Sequence, residues 1–171
     1  LPIAGASFGI LSGSTGGNIT ITGNSVTQTG GAVNSTGVYA ISLGGNGNVN
    51  VTMAGVSSTA GYGIVAVASG TGTTSVTTTG PVTAYGTAIT ALSLGGTTSV
   101  SATGQVTTTG TTAGNAILAY SGAGDVTVTS NGVSGGSAAA IYAYATAGAT
   151  SVTDTGTVTG AARGIYAYSG T

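Results

Sequence analysis

The chain has 171 residues, of which 34 are glycine, with one lysine or arginine, two aspartates or glutamates, and no histidine or cysteine. Its hydrophobic fraction of 40% and net charge of −1 differ from those of disordered chains, which combine low hydrophobicity with high charge. A single basic side chain, Arg163, cannot supply the many lysines and arginines that hold a nucleic-acid backbone. No apolar run approaches the roughly 20 residues of a membrane-spanning helix, so we expect neither nucleic-acid binding nor membrane insertion.

Residue preferences indicate an all-β protein. Glutamate, lysine, arginine and methionine, which favour helices, are almost absent. Valine, threonine, isoleucine and tyrosine favour strands, whereas glycine and asparagine favour turns. The N-terminal stretch LPIAGASFGILSG lacks the basic leader of a signal peptide. We therefore expect a mature product or a segment of a longer protein.

In chain order, the first predicted strand is FGILSG around Ile10, which we interpret as the end of a truncated coil in residues 1–16. Residues 17–171 then contain six repeats of three short phrases. The leading aliphatic residues of the first phrase are Ile19, Val49, Val76, Val100, Val126 and Val152. The valines at the centre of the second phrase are Val26, Val56, Val82, Val106, Val133 and Val158. The aliphatic anchors of the third phrase are Val38, Ile64, Ile89, Ile117, Ile141 and Ile165.

The spacing of these phrases predicts a parallel β-solenoid with three strands per coil. From Ile10 onward the third-phrase anchors are 28, 26, 25, 28, 24 and 24 residues apart, a period of roughly 26. Each phrase alternates with a period of two and ends in Gly, Asn or Ser, as short strands do. Because the phrase order repeats, each strand pairs best with its equivalent one period later, in parallel. We predict one solenoid domain over residues 1–171, with six coils forming a rod about 30 Å long.

Side-chain size supports this interpretation. In the third phrase a large inward residue is followed by two small ones, as in Ile117, Ala119 and Ser121, which suits a narrow interior. The second-phrase valines are expected to fill the opposite wall, and glycines to form the corners between faces. Both ends of the chain resemble ordinary repeats, so we expect either a segment of a longer solenoid or ends that stack into a fibre.

Phrases such as GIYAYSGT and DVTVTSNGVSG resemble the repeats of bacterial autotransporter passenger domains and related large exported adhesins. The resemblance covers nearly the whole chain. It implies a right-handed parallel β-helix at the cell surface or outside the cell. The chain contains no translocator barrel and no protease motif, which distinguishes it from a complete autotransporter.

Chemistry-bearing residues are scarce, and we predict no enzymatic activity, cofactor or metal. A serine nucleophile needs a neighbouring base, and histidine is absent. The two carboxylates, Asp125 and Asp154, belong to first phrases of adjacent coils. Paired carboxylates hydrolyse glycosides, so polysaccharide cleavage is one alternative. The other alternative is that neither carboxylate is catalytic: Asp125 is a solvated residue at a strand start, and Asp154 is a tolerated variant.

Strand parity predicts an exposed apolar stripe on the third phrases. An exposed stripe of this kind usually marks a contact, either with another chain or with a loop or domain of the same chain. The predicted stripe comprises Tyr39, Ile41, Leu43, Val65, Val67, Leu92, Leu94, Leu118, Tyr120, Tyr142, Tyr144, Tyr166 and Tyr168.

The first phrases predict a second surface, a threonine ladder. A T-x-T array resembles the ice-binding face of antifreeze solenoids, although threonine also simply suits an exposed strand. The threonine ladder comprises Thr20, Thr22, Thr52, Thr77, Thr79, Thr103, Thr127, Thr129, Thr153 and Thr155. We predict an extracellular structural or adhesive rod whose partner is another copy or a host or cell-surface target, with ice binding and polysaccharide action as alternatives.

Overall fold

The computed structural model describes residues 3–5, 7–31, 35–111 and 114–170. Within these ranges the chain forms 18 strands and no helix. The strands are β1 (Ile3–Gly5), β2 (Phe8–Ser14), β3 (Ile19–Gln28), β4 (Thr36–Ser42), β5 (Val49–Ser58), β6 (Tyr62–Ala68), β7 (Thr74–Thr78), β8 (Val82–Ala84), β9 (Ile89–Ser93), β10 (Thr98–Ala102), β11 (Val106–Thr108), β12 (Ile117–Ser121), β13 (Val126–Ser130), β14 (Val133–Ser134), β15 (Ala139–Ala145), β16 (Thr150–Asp154), β17 (Val158–Thr159) and β18 (Arg163–Ser169).

The strands form two sheets in which all pairings are parallel. The third-phrase strands make one seven-stranded sheet in the order β18-β15-β12-β9-β6-β4-β2. The first- and second-phrase strands make the other, eleven-stranded sheet. Each strand therefore pairs with its equivalent one coil away. The predicted parallel β-solenoid of about six coils is confirmed.

The first two coils differ from the later ones in their strand count. In coils three to six the three phrases form separate strands, as predicted. In the first two coils the first and second phrases run together into single ten-residue strands, β3 and β5. The eleven-stranded sheet divides beyond β5, which pairs with β7 along its first half and with β8 along its second.

The interior consists of columns of side chains, as the sequence predicts. Val82, Val106 and Val133 lie opposite one another on successive coils and are fully buried. The anchors Ile89, Ile117 and Ile141 form a second buried column. In the last coil Ile165 keeps the same pairing position but is 46% exposed, because no described coil lies beyond it.

Small polar residues secure the corner between the third phrase and the next first phrase. The Ser93 hydroxyl donates to the carbonyl oxygen of Gly72 (2.7 Å) and accepts from the backbone N–H of Gly96 (2.8 Å). Ser121 makes the same two hydrogen bonds one coil later, with Gly96 and Gly124. Ser93 and Ser121 therefore both donate and accept a hydrogen bond although they are buried, which avoids the cost of an unpaired hydroxyl.

The pairing register of the first phrase differs from the one expected. Val51, not Val49, pairs with Val76, and Val49 pairs with Thr74. A threonine therefore occupies the first inward position of β7. Its hydroxyl donates to the carbonyl oxygen of Leu92 (2.6 Å), so the polar group is satisfied inside the solenoid. Aligning the first aliphatic residue of each phrase was wrong by two residues in this coil.

Threonine also occupies the first inward position of the first phrase in coils four and six. Thr98 and Thr150 hold the first inward positions of β10 and β16. Their hydroxyls donate to the carbonyl oxygens of Tyr120 (2.7 Å) and Tyr168 (2.6 Å). These hydrogen bonds link the first-phrase strands of one sheet to the third-phrase strands of the other. Because a threonine takes the first inward position, the outward residues of these phrases pair two residues earlier than the aliphatic alignment predicts.

Candidate interaction face

The predicted stripe residues lie on the outer face of the seven-stranded sheet. Their strand neighbours on either side point into the interior, and the alternation follows the predicted parity. One column along the solenoid contains Tyr39, Val65, Leu118, Tyr142 and Tyr166. The next column contains Ile41, Val67, Leu92, Tyr120, Tyr144 and Tyr168.

Three positions depart from a continuous stripe. Thr90, which the sequence interpretation passed over, separates Val65 from Leu118 in the first column. Leu43 and Leu94 are exposed but lie just beyond the ends of β4 and β9. The alternation of the phrase AITALSL already places Thr90 on the outer face, so the signal for it was present in the sequence. The apolar surface is thus interrupted in its middle and strongest at the last coils.

At those coils five tyrosines stack into one group, the tyrosine cluster, formed by Tyr120, Tyr142, Tyr144, Tyr166 and Tyr168. The rings of Tyr142 and Tyr166 have centroids 4.8 Å apart and an interplanar angle of 11°. Tyr144 and Tyr168 repeat this geometry at 4.8 Å and 12°. Such near-parallel stacking follows from parallel pairing. Identical side chains on adjacent strands leave the sheet in the same direction, one coil apart, so their rings can lie face to face.

Tyr144 lies at the centre of the cluster. Its ring also stacks on Tyr120 at 5.7 Å and on Tyr142 at 6.3 Å. Burial among these rings raises the pKa of the Tyr144 phenol, and neighbouring tyrosines, Tyr168 first among them, raise it further once they ionise. The Tyr144 phenol therefore stays uncharged to a higher pH than an isolated tyrosine.

Polar and cationic groups border the cluster. The Tyr120 hydroxyl lies 3.1 Å from the Thr146 hydroxyl, within hydrogen-bonding distance. The guanidinium carbon of Arg163 lies 5.2 Å from the centroid of the Tyr166 ring, within the range of a cation–π contact. Both contacts restrain outer members of the stack. The cluster is consequently a preorganised surface with phenol hydroxyls that can donate or accept.

The threonine ladder is less regular than predicted. Because of the two-residue shift, one outward column reads Thr22, Thr52, Thr77, Ser101, Thr129 and Thr153. The other reads Thr20, Asn50, Ser75, Ser99, Thr127 and Ser151. The remaining predicted members, Thr79, Thr103 and Thr155, lie at the corner after the strands. Within these strands only two rows keep the T-x-T pattern.

The corner threonines have local hydrogen-bond partners. The Thr103 hydroxyl lies 3.3 Å from the carbonyl oxygens of Thr78 and Thr79. The Thr155 hydroxyl lies 3.4 Å from the carbonyl oxygen of Ser130. These hydroxyls serve the corner between the first and second phrases, so they do not extend a flat array.

Asp125 directly precedes β13, and Asp154 is the last residue of the neighbouring strand β16. Both carboxylates accept hydrogen bonds from backbone N–H groups at turns. Asp125 accepts from the backbone N–H of Ala149 (2.8 Å). Asp154 accepts from the backbone N–H groups of Gly156 (2.8 Å) and Gly132 (3.1 Å) and from the Ser130 hydroxyl. Five residue positions along the strand place the two carboxylates roughly 17 Å apart, well beyond the spacing of a glycosidase pair. Asp154 is a hydrogen-bonded turn residue and more than a tolerated variant.

Across the described ranges, no three His, Cys, Asp or Glu side chains gather where they could hold a metal ion. In the same ranges no helix is present that could cross a membrane. The stacked tyrosines make the outer face of the third-phrase sheet the candidate site.

This geometry defines the class of the chain, a parallel β-solenoid of about six coils that carries an exposed tyrosine cluster. No protein-family model, curated protein or solved structure matches it. The resemblance to exported adhesin repeats therefore rests on the phrases of the sequence.

Proposed function

We propose that the chain is a non-enzymatic structural rod that associates side by side with a second copy through the tyrosine cluster. The observation that carries the proposal is the continuous stack of five outward tyrosines on a sheet face where Arg163 is the one charged neighbour in the described ranges. Tyrosine is enriched in protein interfaces because it offers rigid, amphipathic contact area with little loss of side-chain entropy. Here the stacking has already fixed the rings before a partner arrives.

A second copy is the partner that fits this face best. An isologous contact places the same patch on both subunits, so the patch must complement itself. Phenol groups meet this requirement, since each carries an apolar ring and a hydroxyl that both donates and accepts. The chain has three charged side chains in total, and few charges need to be desolvated when two such faces meet.

The size of the face predicts a weak association. The whole outer face, with seven strands at ~4.8 Å spacing and about 17 Å of strand length, measures roughly 500 Å², and the tyrosine cluster occupies only its last three strands, β12, β15 and β18. Stable, specific interfaces bury about 800 Å² per partner. Self-association should therefore depend strongly on concentration, and repeated copies along a longer solenoid would strengthen it through multivalency.

The proposed location is outside the cell or at a bacterial cell surface. The support is the resemblance of the third- and first-phrase repeats to those of exported adhesins. In that setting the face would bind neighbouring rods to one another, or bind a host target when no second copy is available.

Sedimentation equilibrium tests the proposal on three proteins. The parent should self-associate, and the double variant Tyr144→Ser with Tyr168→Ser should associate at least tenfold more weakly, about 1–2 kcal/mol per residue that acts as a hot spot. The control is Thr127→Ser with Thr129→Ser on the other sheet, which should associate like the parent. Circular dichroism should be the same for all three, because the inward columns are unchanged.

Two results would overturn the proposal. One is a parent that remains monomeric up to about 1 mM, a concentration at which even a millimolar Kd gives visible dimer. The other is a double variant that associates as strongly as the parent. If the parent is monomeric but is retained on host cells in a tyrosine-dependent way, the partner is a surface target and the self-association proposal fails.

A further inference from the structure

A groove of about 710 Å³ lies on the outer face, along the column from Tyr39 to Leu118 and the residues that precede it at the start of the third-phrase strands. Its walls carry three aromatic rings, Phe8, Tyr39 and Tyr62. Phe8 meets Tyr39 edge-on at 5.8 Å, and Phe8 and Tyr62 are among the exposed large hydrophobic residues. The groove is separate from the tyrosine cluster, which lies on the later coils.

Parallel pairing of β2, β4 and β6 places the residues of one groove wall in a single column along the solenoid. Phe8 pairs with Thr36, and Thr36 pairs with Tyr62, so ring, hydroxyl and ring alternate along the solenoid. Directly after this column Gly37, inside β4, packs closely against the interior, where an added Cβ would lie 2.5 Å from Val56 Cγ1.

Three threonines in the groove wall carry the inference. Thr36 is 2% exposed, and Thr87 and Thr90 are each 8% exposed, yet all three line the groove. None of their hydroxyls forms a hydrogen bond with another residue in the described ranges. Thr78 Oγ1 is the only buried side-chain polar atom without a partner in the described ranges, so these three hydroxyls open onto the groove and are free to bond to a ligand there.

A fourth polar group lies at one end of the groove. The side-chain oxygen of Asn115 accepts from the backbone N–H of Ala139 (3.1 Å). This bond fixes the orientation of the carboxamide. Its amino group donates to no residue of the described ranges and can serve an occupant as a donor.

The chemistry of the walls identifies the class of occupant. None of the charged residues, Asp125, Asp154 and Arg163, lines the groove, so a charged ligand would lose its hydration without a counter-charge. A purely apolar ligand would leave the three hydroxyls without partners. Aromatic faces beside several hydroxyls and an amide suit a molecule with an apolar ring face and hydroxyls on its edge.

We propose that this groove binds a neutral sugar, with its ring against Tyr39 and Tyr62 and its hydroxyls bonded to Thr36, Thr87 and Thr90. Ligand sites typically occupy about 300–1,000 Å³ and combine apolar walls with a few placed polar groups. The groove falls within this range and has room for a short oligosaccharide. The assignment is independent of the proposed self-association, because the tyrosine cluster contributes no residue to the groove.

The test is to titrate the purified chain with four neutral trisaccharides, built of glucose, galactose, mannose or N-acetylglucosamine. Calorimetry and saturation-transfer NMR measure the binding. A trisaccharide of glucuronic acid and cyclohexanol are the charged and apolar comparison ligands. At least one neutral trisaccharide should bind saturably, and neither comparison ligand should. Thr90→Val, which keeps the shape and removes the hydroxyl, should weaken binding about tenfold, as should Tyr62→Leu.

Matched controls separate this site from other effects. Thr77→Val removes an outward hydroxyl from the other sheet and should leave sugar binding unchanged. The double variant Tyr144→Ser with Tyr168→Ser should also bind sugar like the parent, whatever its state of association. Absence of saturable binding by all four neutral trisaccharides would overturn the assignment. So would binding that is as tight in Thr90→Val and Tyr62→Leu as in the parent.

Discussion

Replacing Val106 by aspartate is the sharpest test of the buried second-phrase column. Val106 is 0% exposed and lies between Val82 and Val133 on the adjacent coils. The only basic side chain, Arg163, is on the last strand beside Tyr166. An aspartate at this position would therefore be buried without a counter-charge.

The expected cost has two parts. Losing the buried valine removes about 2 kcal/mol of hydrophobic stabilisation. Keeping the buried carboxyl protonated at pH 7, against an unfolded pKa near 3.9, costs about 4 kcal/mol at 1.36 kcal/mol per pKa unit. Together they approach the whole stability of a typical domain, about 5–15 kcal/mol. Because a solenoid coil contacts only its neighbours, the loss should begin at the coils around β11.

The dependence on pH follows from the raised folded-state pKa of the new carboxyl. Below the unfolded pKa of about 3.9 the aspartate is protonated in both states, so only the hydrophobic part of the cost remains. As the pH rises toward the folded pKa, the unfolded state releases its proton first and the variant loses stability. Val106→Asp should thus lie closer to the parent at pH 3 than at pH 7.

Urea unfolding followed by circular dichroism at the two pH values measures both effects. The matched control is Thr107→Asp, the next residue along the strand, which faces outward. It should change the free energy of unfolding by about 1 kcal/mol or less. Equal destabilisation by the two variants, or a cost at Val106 that does not depend on pH, would refute the reasoning about strand parity.

Three further changes test other parts of the structure. Thr78→Val should leave stability unchanged or raise it by about 1 kcal/mol in urea unfolding, because within the described ranges the Thr78 hydroxyl is buried without a partner. Gly63→Ala should cost about 2 kcal/mol or more by the same assay, since the added Cβ would lie 2.3 Å from the Ala88 carbonyl oxygen. Gly31→Ala is its control, because within the described ranges no atom beyond its chain neighbours lies within 4 Å of the added Cβ. The raised pKa of Tyr144 predicts stability that is lost as the pH rises past about 10, and Tyr144→Phe should reduce that loss in alkaline melting curves.

The repeated phrases were sufficient to predict the coil and its interior. Period-two alternation fixes which residues share a face, and the valine of the second phrase recurs in every repeat. An error of one residue would expose the whole column to solvent, so the second-phrase register was strongly determined. The third phrase was equally clear because Ile, Ala and Ser differ in size at successive inward positions.

The first-phrase register could not be read in the same way. An inward threonine looks like an outward one in the sequence, since its burial depends on a carbonyl oxygen that only the folded corner supplies. Thr74 finds that oxygen on Leu92, 18 residues later. A search for aliphatic residues alone therefore shifted part of the threonine ladder by two positions.

The two candidate sites were predictable to different degrees. Parity alone places Tyr142, Tyr144, Tyr166 and Tyr168 on one face, and the stacking of their rings follows from parallel pairing. The groove was missed because its aromatic column precedes the alternating part of the third phrase. Phe8, Thr36 and Tyr62 share one column only through the pairing register of β2, β4 and β6, which the alternation within a single phrase does not encode.

The uniform one-coil spacing of the pairings also bears on how fast the chain can fold. Paired residues such as Ile64 and Ile89, or Ile117 and Ile141, are about one period apart in sequence. Relative to the chain length this gives a contact order near 0.15, closer to mixed α/β domains than to β-sandwiches. Loop closure at each step therefore costs about the same however many coils are already formed. Any two adjacent coils can nucleate the rod, and each later coil adds to an edge that is already in place.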